Sequence, residues 1–185
     1  MPYVYYVPMG IALLVWLASL PYQYRMLMVL RWGVRANRLA VRGSSAEALD
    51  AYDAGLRHFR GHVGLLYGKG VALRKLGRDN EAATCYREVV RHHPRHYRAH
   101  YNLGTILRDM GRYDDAEREF LTAVEIRPDF SRAYCNLAIL YDKAGKTEKA
   151  IEFYTKYFIS GGNDPTVRKR ARELGLSEPW LGSPN

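Results

Sequence analysis

Residues 97–130 read YRAHYNLGTILRDMGRYDDAEREFLTAVEIRPDF, and the pattern within them decides the fold class. Ala116, Phe120, Ala123 and Val124 recur at helical spacing, so the stretch has an apolar face to bury. Gly111 sits where a first helix should end, a position favouring the left-handed backbone that Gly adopts at little cost. Tyr113, Asp114 and Asp115 then suit the start of a second helix, as capping residues or as acids facing its positive end. Pro128 stops that second helix. Two antiparallel helices joined by a tight turn are expected.

The unit is repeated. Pro94 and Pro128 lie 34 residues apart, and sliding by that period aligns VGLLYGKGVALRKLGRDNEAATCYREVVRHHPRH at 63–96 and SRAYCNLAILYDKAGKTEKAIEFYTKYFISGGND at 131–164. Gly70, Gly104 and Ala138 fall in register, followed by Gly77, Gly111 and Gly145, then Ala82, Ala116 and Ala150, then Tyr86, Phe120 and Tyr154. The small residues let paired helices approach closely. One slide further back places Trp32, Ala36, Gly43, Ala48 and Tyr52 at equivalent positions, so 29–62 reads as a degenerate first copy. After Pro165, TVRKRARELGL can form one more helix that caps the last apolar face. The tail SEPWLGSPN reads as irregular, with Trp180 and Leu181 packed on that helix or open to a partner.

These positions resemble the tetratricopeptide repeat, with Leu103-Gly104, Ala116, Phe120, Ala123 and Pro128 all in place. Departures are Lys69 in place of Leu, Leu73 and Leu107 in place of an aromatic, and Gly161-Gly162 in place of a terminal proline. The resemblance implies an all-α, right-handed α-solenoid of helix–turn–helix repeats whose first helices line a concave groove. The implied groove positions are Tyr67, Val71, Arg74, Arg98, Tyr101, Asn102, Thr105, Arg108, Arg132, Asn136, Ile139 and Lys143. Arg grips carboxylates bidentately and Asn bonds an extended backbone, so an acidic segment or free C-terminus fits that lining. The same arginines could instead be solvated, or pack as stems over neighbouring tyrosines. Some family members clamp a chaperone's C-terminal carboxylate. Here only Asn102 and Arg132 match that clamp; Tyr67 and Val71 replace its Lys and Asn, and Asn136 stands where a second cation is usual.

The N-terminus differs in composition. Met1 to Tyr24 has no charged side chain, whereas the rest of the 185 residues holds all 28 Lys and Arg and all 19 Asp and Glu. The uncharged apolar run from Tyr3 to Leu20, about 18 residues, is enough to cross a bilayer core. Tyr3, Tyr5 and Tyr6 before it, and Tyr22 and Tyr24 after it, suit the headgroup layers. A cleaved signal fits less well, because MPYVYY is uncharged and Ala18-Ser19-Leu20 is a poor cleavage site. A helix buried against the soluble domain or a partner is the other alternative. Arg25, Arg31, Arg35, Arg38 and Arg42 follow with no acid among them, which orients a single-pass protein with its N-terminus outside and its repeats cytoplasmic, in a bacterial inner membrane. These arginines lie near one face of a helix while Leu27, Leu30, Val34 and Val41 lean toward another. The arginine face suits anionic lipid or plain solvation equally. Pro21 is expected to kink or break the chain before it. The division expected is an anchor at 1–24, a basic juxtamembrane helix with the degenerate repeat at 25–62, repeats at 63–96, 97–130 and 131–164, and a cap with tail at 165–185.

The net charge of +9 favours acidic partners, but no reader motif accompanies it, which argues against nucleic acid. Cys85 and Cys135 are isolated thiols with no zinc-ligand or disulfide spacing. No phosphate loop, HExxH or nucleophile with a matched base occurs, so neither an enzyme nor a cofactor is expected. His92, His93, His96 and His100, with His58 and His62, form the one metal-like cluster. Pro94 divides it and no carboxylate or Cys is interleaved, so it reads as a solvated turn. The function expected is a membrane-anchored interaction scaffold or assembly subunit that presents a basic groove to an acidic segment of a membrane complex. The alternative is a permanent structural subunit of such a complex, with Trp16, Trp32 and the tyrosines as interface anchors.

Overall fold

A computed structural model describes residues 9–177, with side chains from residue 18 onward. The described elements are α-helices, and their contacts divide the chain into two compact units, Met1–Arg78 and Asp79–Asn185.

The first unit contains α1 (Met9–Val41), α2 (Ser45–His58) and α3 (Val63–Lys75). α1 turns into α2 at Gly43, whose φ of +87° is open to Gly without strain. Val29 and Ala36 of α1 are buried, as are Ala48, Tyr52 and Ala54 of α2 and Leu65 and Leu73 of α3. All three helices meet at Gly55, where a Cβ would come within 2.7 Å of Leu65 and 3.2 Å of Trp32. The Tyr52 hydroxyl donates to Asn37 Oδ1 at 2.7 Å, tying α2 to α1. Lys69, the sequence's departure from Leu, pairs with Asp53 of α2 at 2.5 Å.

This unit corrects the N-terminal expectation. No helix among the described residues is long and apolar enough to cross a membrane, so the single-pass topology, with N-terminus outside and repeats cytoplasmic at a bacterial inner membrane, does not hold. The apolar run Met9–Leu20 of α1 spans about 18 Å against a hydrocarbon core of about 30 Å. Pro21, Gln23 and Arg25 follow it within the same helix. Tyr3, Tyr5 and Tyr6, on which the longer span relied, lie outside the described residues, as do Trp180 and Leu181. Pro21 does not break the chain; α1 continues through it. Leu27, Leu30, Val34 and Val41 remain exposed on α1, whose buried side is carried by Val29 and Ala36.

The second unit contains α4 (Asp79–His92), α5 (Tyr97–Asp109), α6 (Tyr113–Ile126), α7 (Ser131–Lys143), α8 (Thr147–Ile159) and α9 (Pro165–Glu173). α5 pairs with α6 and α7 with α8, while α4 packs on α5 and α6 on α7. Tyr86, Ile106, Phe120, Leu137 and Tyr154 fill the core with almost no exposure. Gly104 lets α5 close onto α6, since a Cβ there would lie 2.9 Å from the Phe120 ring. α6 and α8 start at Arg112 and Lys146 without a side-chain cap, and the acids Asp114, Asp115 and Glu148 stand in their first turns, where negative charge favours the macrodipole. α9 is capped by Asp164, which accepts from Thr166 N at 2.8 Å. Arg170 of α9 grips Asp142 of α7 with two bonds, at 2.7 and 2.8 Å.

Candidate functional site

The candidate positions fall on three helices. Tyr67, Val71 and Arg74 are half-buried on α3 of the first unit. The other nine lie in the second unit, with Arg98, Tyr101, Asn102, Thr105 and Arg108 on α5 and Arg132, Asn136, Ile139 and Lys143 on α7. On each helix the spacings of three and four residues keep them on one side. Arg98 and Asn102 recur 34 residues later as Arg132 and Asn136, so neighbouring helices present the same cation and amide.

Asn136 is the centre of this surface. It is buried, its Oδ1 accepts from the Arg108 guanidinium, and its Nδ2 donates to the Arg132 carbonyl at 3.1 Å and the Tyr101 hydroxyl at 3.3 Å. Tyr101 is held edge-on by Phe130, with centroids 5.0 Å apart. The Thr105 hydroxyl donates back to the Tyr101 carbonyl at 2.9 Å and so turns inward. Arg108 is the least available of the basic groups, because Asp109 accepts from it at 3.0 and 2.7 Å. Arg132 and Lys143 are exposed cations without an ion pair among the described residues. Ile139 is half-buried between them.

Arg98 adopts the stem-over-tyrosine arrangement: it donates to the Tyr97 hydroxyl at 2.9 Å and lies 5.5 Å from that ring's centroid. Arg127 lies 4.9 Å from the same centroid and bonds the same hydroxyl at 2.5 Å. Asp129 and then Tyr97 hold the Arg127 guanidinium above its ordinary pKa. Sequence reasoning missed Tyr97, Arg127 and Phe130. The aromatic–cation pairing was visible only as a Tyr and an Arg 30 residues apart, which the repeat period does not connect.

Three of the histidines have structural roles. His62 and His96, one period apart, cap α3 and α5 by accepting the Leu65 and Ala99 amides at Nδ1, at 3.2 and 3.1 Å. Burial lowers the His96 pKa, which preserves that acceptor. His100 leaves the solvated turn expected of it: Nδ1 meets Glu119 Oε2 at 2.7 Å and Nε2 meets the Pro94 carbonyl at 2.8 Å. Burial alone would lower the His100 pKa, but the bond to Glu119, the Pro94 carbonyl and the Glu119 charge together raise it. Among the described residues no group of side chains is placed to hold a metal. Burial, then the Asp164 charge, pushes the Cys135 thiol up to about 11, so it stays protonated at neutral pH.

Comparison with known proteins now bears on this arrangement. Tetratricopeptide-repeat family models match residues 95–158, and 34–84 with 77–109. The chain carries tetratricopeptide repeats. The solved structure "MamA 41-end from Desulfovibrio magneticus RS-1" is similar, with 27% identity and a TM-score of 0.73 over 80% of this chain and 84% of that one. A structure described as MamA protein has 22% identity and the same TM-score and coverage. One from a functional characterization of Pseudomonas aeruginosa pilF has 21% identity and a TM-score of 0.71 over 81% of this chain and 68% of that one. The last two show the fold alone. No curated protein sequence matches. The fold is an all-helical tetratricopeptide-type solenoid, and tetratricopeptide domains bind other proteins. Proteins of this repeat class are typically non-enzymatic scaffolds.

Proposed function

We propose that the chain is a protein-interaction scaffold whose α5–α7 face takes an acidic segment or free carboxyl terminus of a partner polypeptide. The observation that carries this reading is the buried Asn136, held rigid from three sides and flanked by the exposed, unpaired cations of Arg132 and Lys143. A carboxylate bound there gains charge-assisted bonds without first ordering the floor beneath it. Arg98 and Tyr97 extend the same chemistry along α5, and Ile139 offers an apolar contact for a side chain between two carboxylates. Tyr67, Val71 and Arg74 are not needed for this reading, which rests on the second unit alone. The net charge of +9 agrees in sign with such a ligand.

Fluorescence anisotropy with a labelled Asp- and Glu-rich peptide tests it. The expected result is saturable binding that weakens with salt and falls at least about tenfold in Arg132→Glu, a difference of about 1.4 kcal/mol. Amidation of the peptide's carboxyl terminus separates recognition of the terminus from recognition of the side chains. Equal binding by wild type and by Arg98→Glu/Arg132→Glu overturns the proposal.

A further inference from the structure

The first unit bears an unpartnered surface of a different kind. Of the large apolar side chains exposed among the described residues, eight lie on α1 and five elsewhere, although α1 also buries Val29 and Ala36 against its neighbours. Leu27, Leu30, Val34 and Val41 form a lane on the outer side of the helix, with Leu30 64% and Val41 87% exposed. Their separations of three, four and seven residues are those of a helix–helix seam. Beside this lane run Arg31, Arg35, Arg38 and Arg42, and these four with Leu27, Leu30 and Val34 line one shallow furrow. Arg35 is anchored over the Trp32 ring at 5.3 Å. Arg31, Arg38 and Arg42 make no ion pair among the described residues, and α1 contains no acid.

We infer that this furrow docks an amphipathic helix of a partner protein, one with apolar residues at heptad spacing and Asp or Glu along one flank. Arg31 and Arg38 are seven residues apart, as are Arg35 and Arg42, so a packed helix with acids every seventh residue meets a guanidinium in each heptad of the seam. A second copy of this chain fits poorly, because two antiparallel α1 helices would set arginine lane against arginine lane with no acid to relieve them. A bilayer fits less well than a helix, because the cations run along only one side of the apolar lane. On its other side lie Gly33 and Asn37, and Asn37 is engaged by Tyr52.

The test uses the full chain and two synthetic three-heptad peptides with Leu at the seam, one with Glu and one with Lys along the flanks. Anisotropy titrations should show binding of the Glu peptide and at least about tenfold weaker binding of the Lys peptide. In a chain carrying Arg98→Glu/Arg132→Glu, which removes the acidic-peptide site proposed on α5–α7, Leu30→Ser/Val34→Ser and, separately, Arg31→Glu/Arg38→Glu should each still weaken the Glu peptide at least about tenfold. All four altered residues are exposed, and the two peptides are compared in the same Arg98→Glu/Arg132→Glu chain. Equal binding of both peptides, or of neither, overturns the inference. So does flotation with phosphatidylglycerol-containing vesicles that the same variants abolish while the Glu peptide does not bind, which would assign the furrow to a bilayer. Sedimentation showing a dimer that Leu30→Ser/Val34→Ser dissociates would assign it to a second copy and overturn it equally.

Discussion

Asn136→Ala probes the floor of the proposed site most sharply, because this one side chain joins α7 to α5. Its bond from Arg108 is charge-assisted and is worth about 1.5–3 kcal/mol in a folded protein, while each neutral bond is worth about 0.5–1.5 kcal/mol. Those to Tyr101 and to the Arg132 carbonyl are long, at 3.3 and 3.1 Å, and belong at the low end. Arg108 retains Asp109 after the substitution and Tyr101 can recover water, so the full sum is not lost. The expected cost is about 2 kcal/mol. Urea unfolding followed by circular dichroism, analysed as a double-mutant cycle with Arg108→Ala, should give a coupling of about 1 kcal/mol. A coupling below about 0.3 kcal/mol would mean that Arg108 and Asn136 act independently and that Asn136 does not join the two helices.

Other substitutions test the framework around it. Phe120→Ala removes a fully buried ring that packs under Gly104 and Tyr101, and should cost about 3–5 kcal/mol in the same denaturation assay. His100→Gln should destabilise most in mildly acidic solution. The His100 pKa is raised in the fold, so its contribution is complete below the ordinary histidine value of about 6.5 and disappears as pH rises through the raised value. Thermal melts of wild type and variant across that range should therefore converge toward alkaline pH, and a constant separation would contradict the Glu119 pairing.

The repeated helices were legible because each rests on local chemistry that recurs every 34 residues. α3, α5 and α7 begin one period apart, as do α4, α6 and α8, and Gly77, Gly111 and Gly145 take φ of +71°, +77° and +69° at the turns between them. What was not legible depends on contacts between separate helices. The repeat pattern counts Arg108 as a groove cation, yet Asp109 beside it and Asn136 on the next helix take up its donors. His96 and His100 look alike in sequence, but one caps α5 and the other reaches Glu119 on α6. The N-terminal expectation failed for a simpler reason. An absence of charge was read as a span, whereas in the described helix the apolar run is short and Pro21, Gln23 and Arg25 continue the same helix.

Amide chemical-shift mapping with the acidic peptide shows whether the α5–α7 face receives carboxylates. The largest perturbations are expected at Arg98, Asn102, Arg132, Asn136 and Lys143, with the Arg132 and Lys143 signals moving together at one affinity. Perturbations confined to the second helices α6 and α8, or none on α5 and α7 at saturating peptide, would contradict binding at that face.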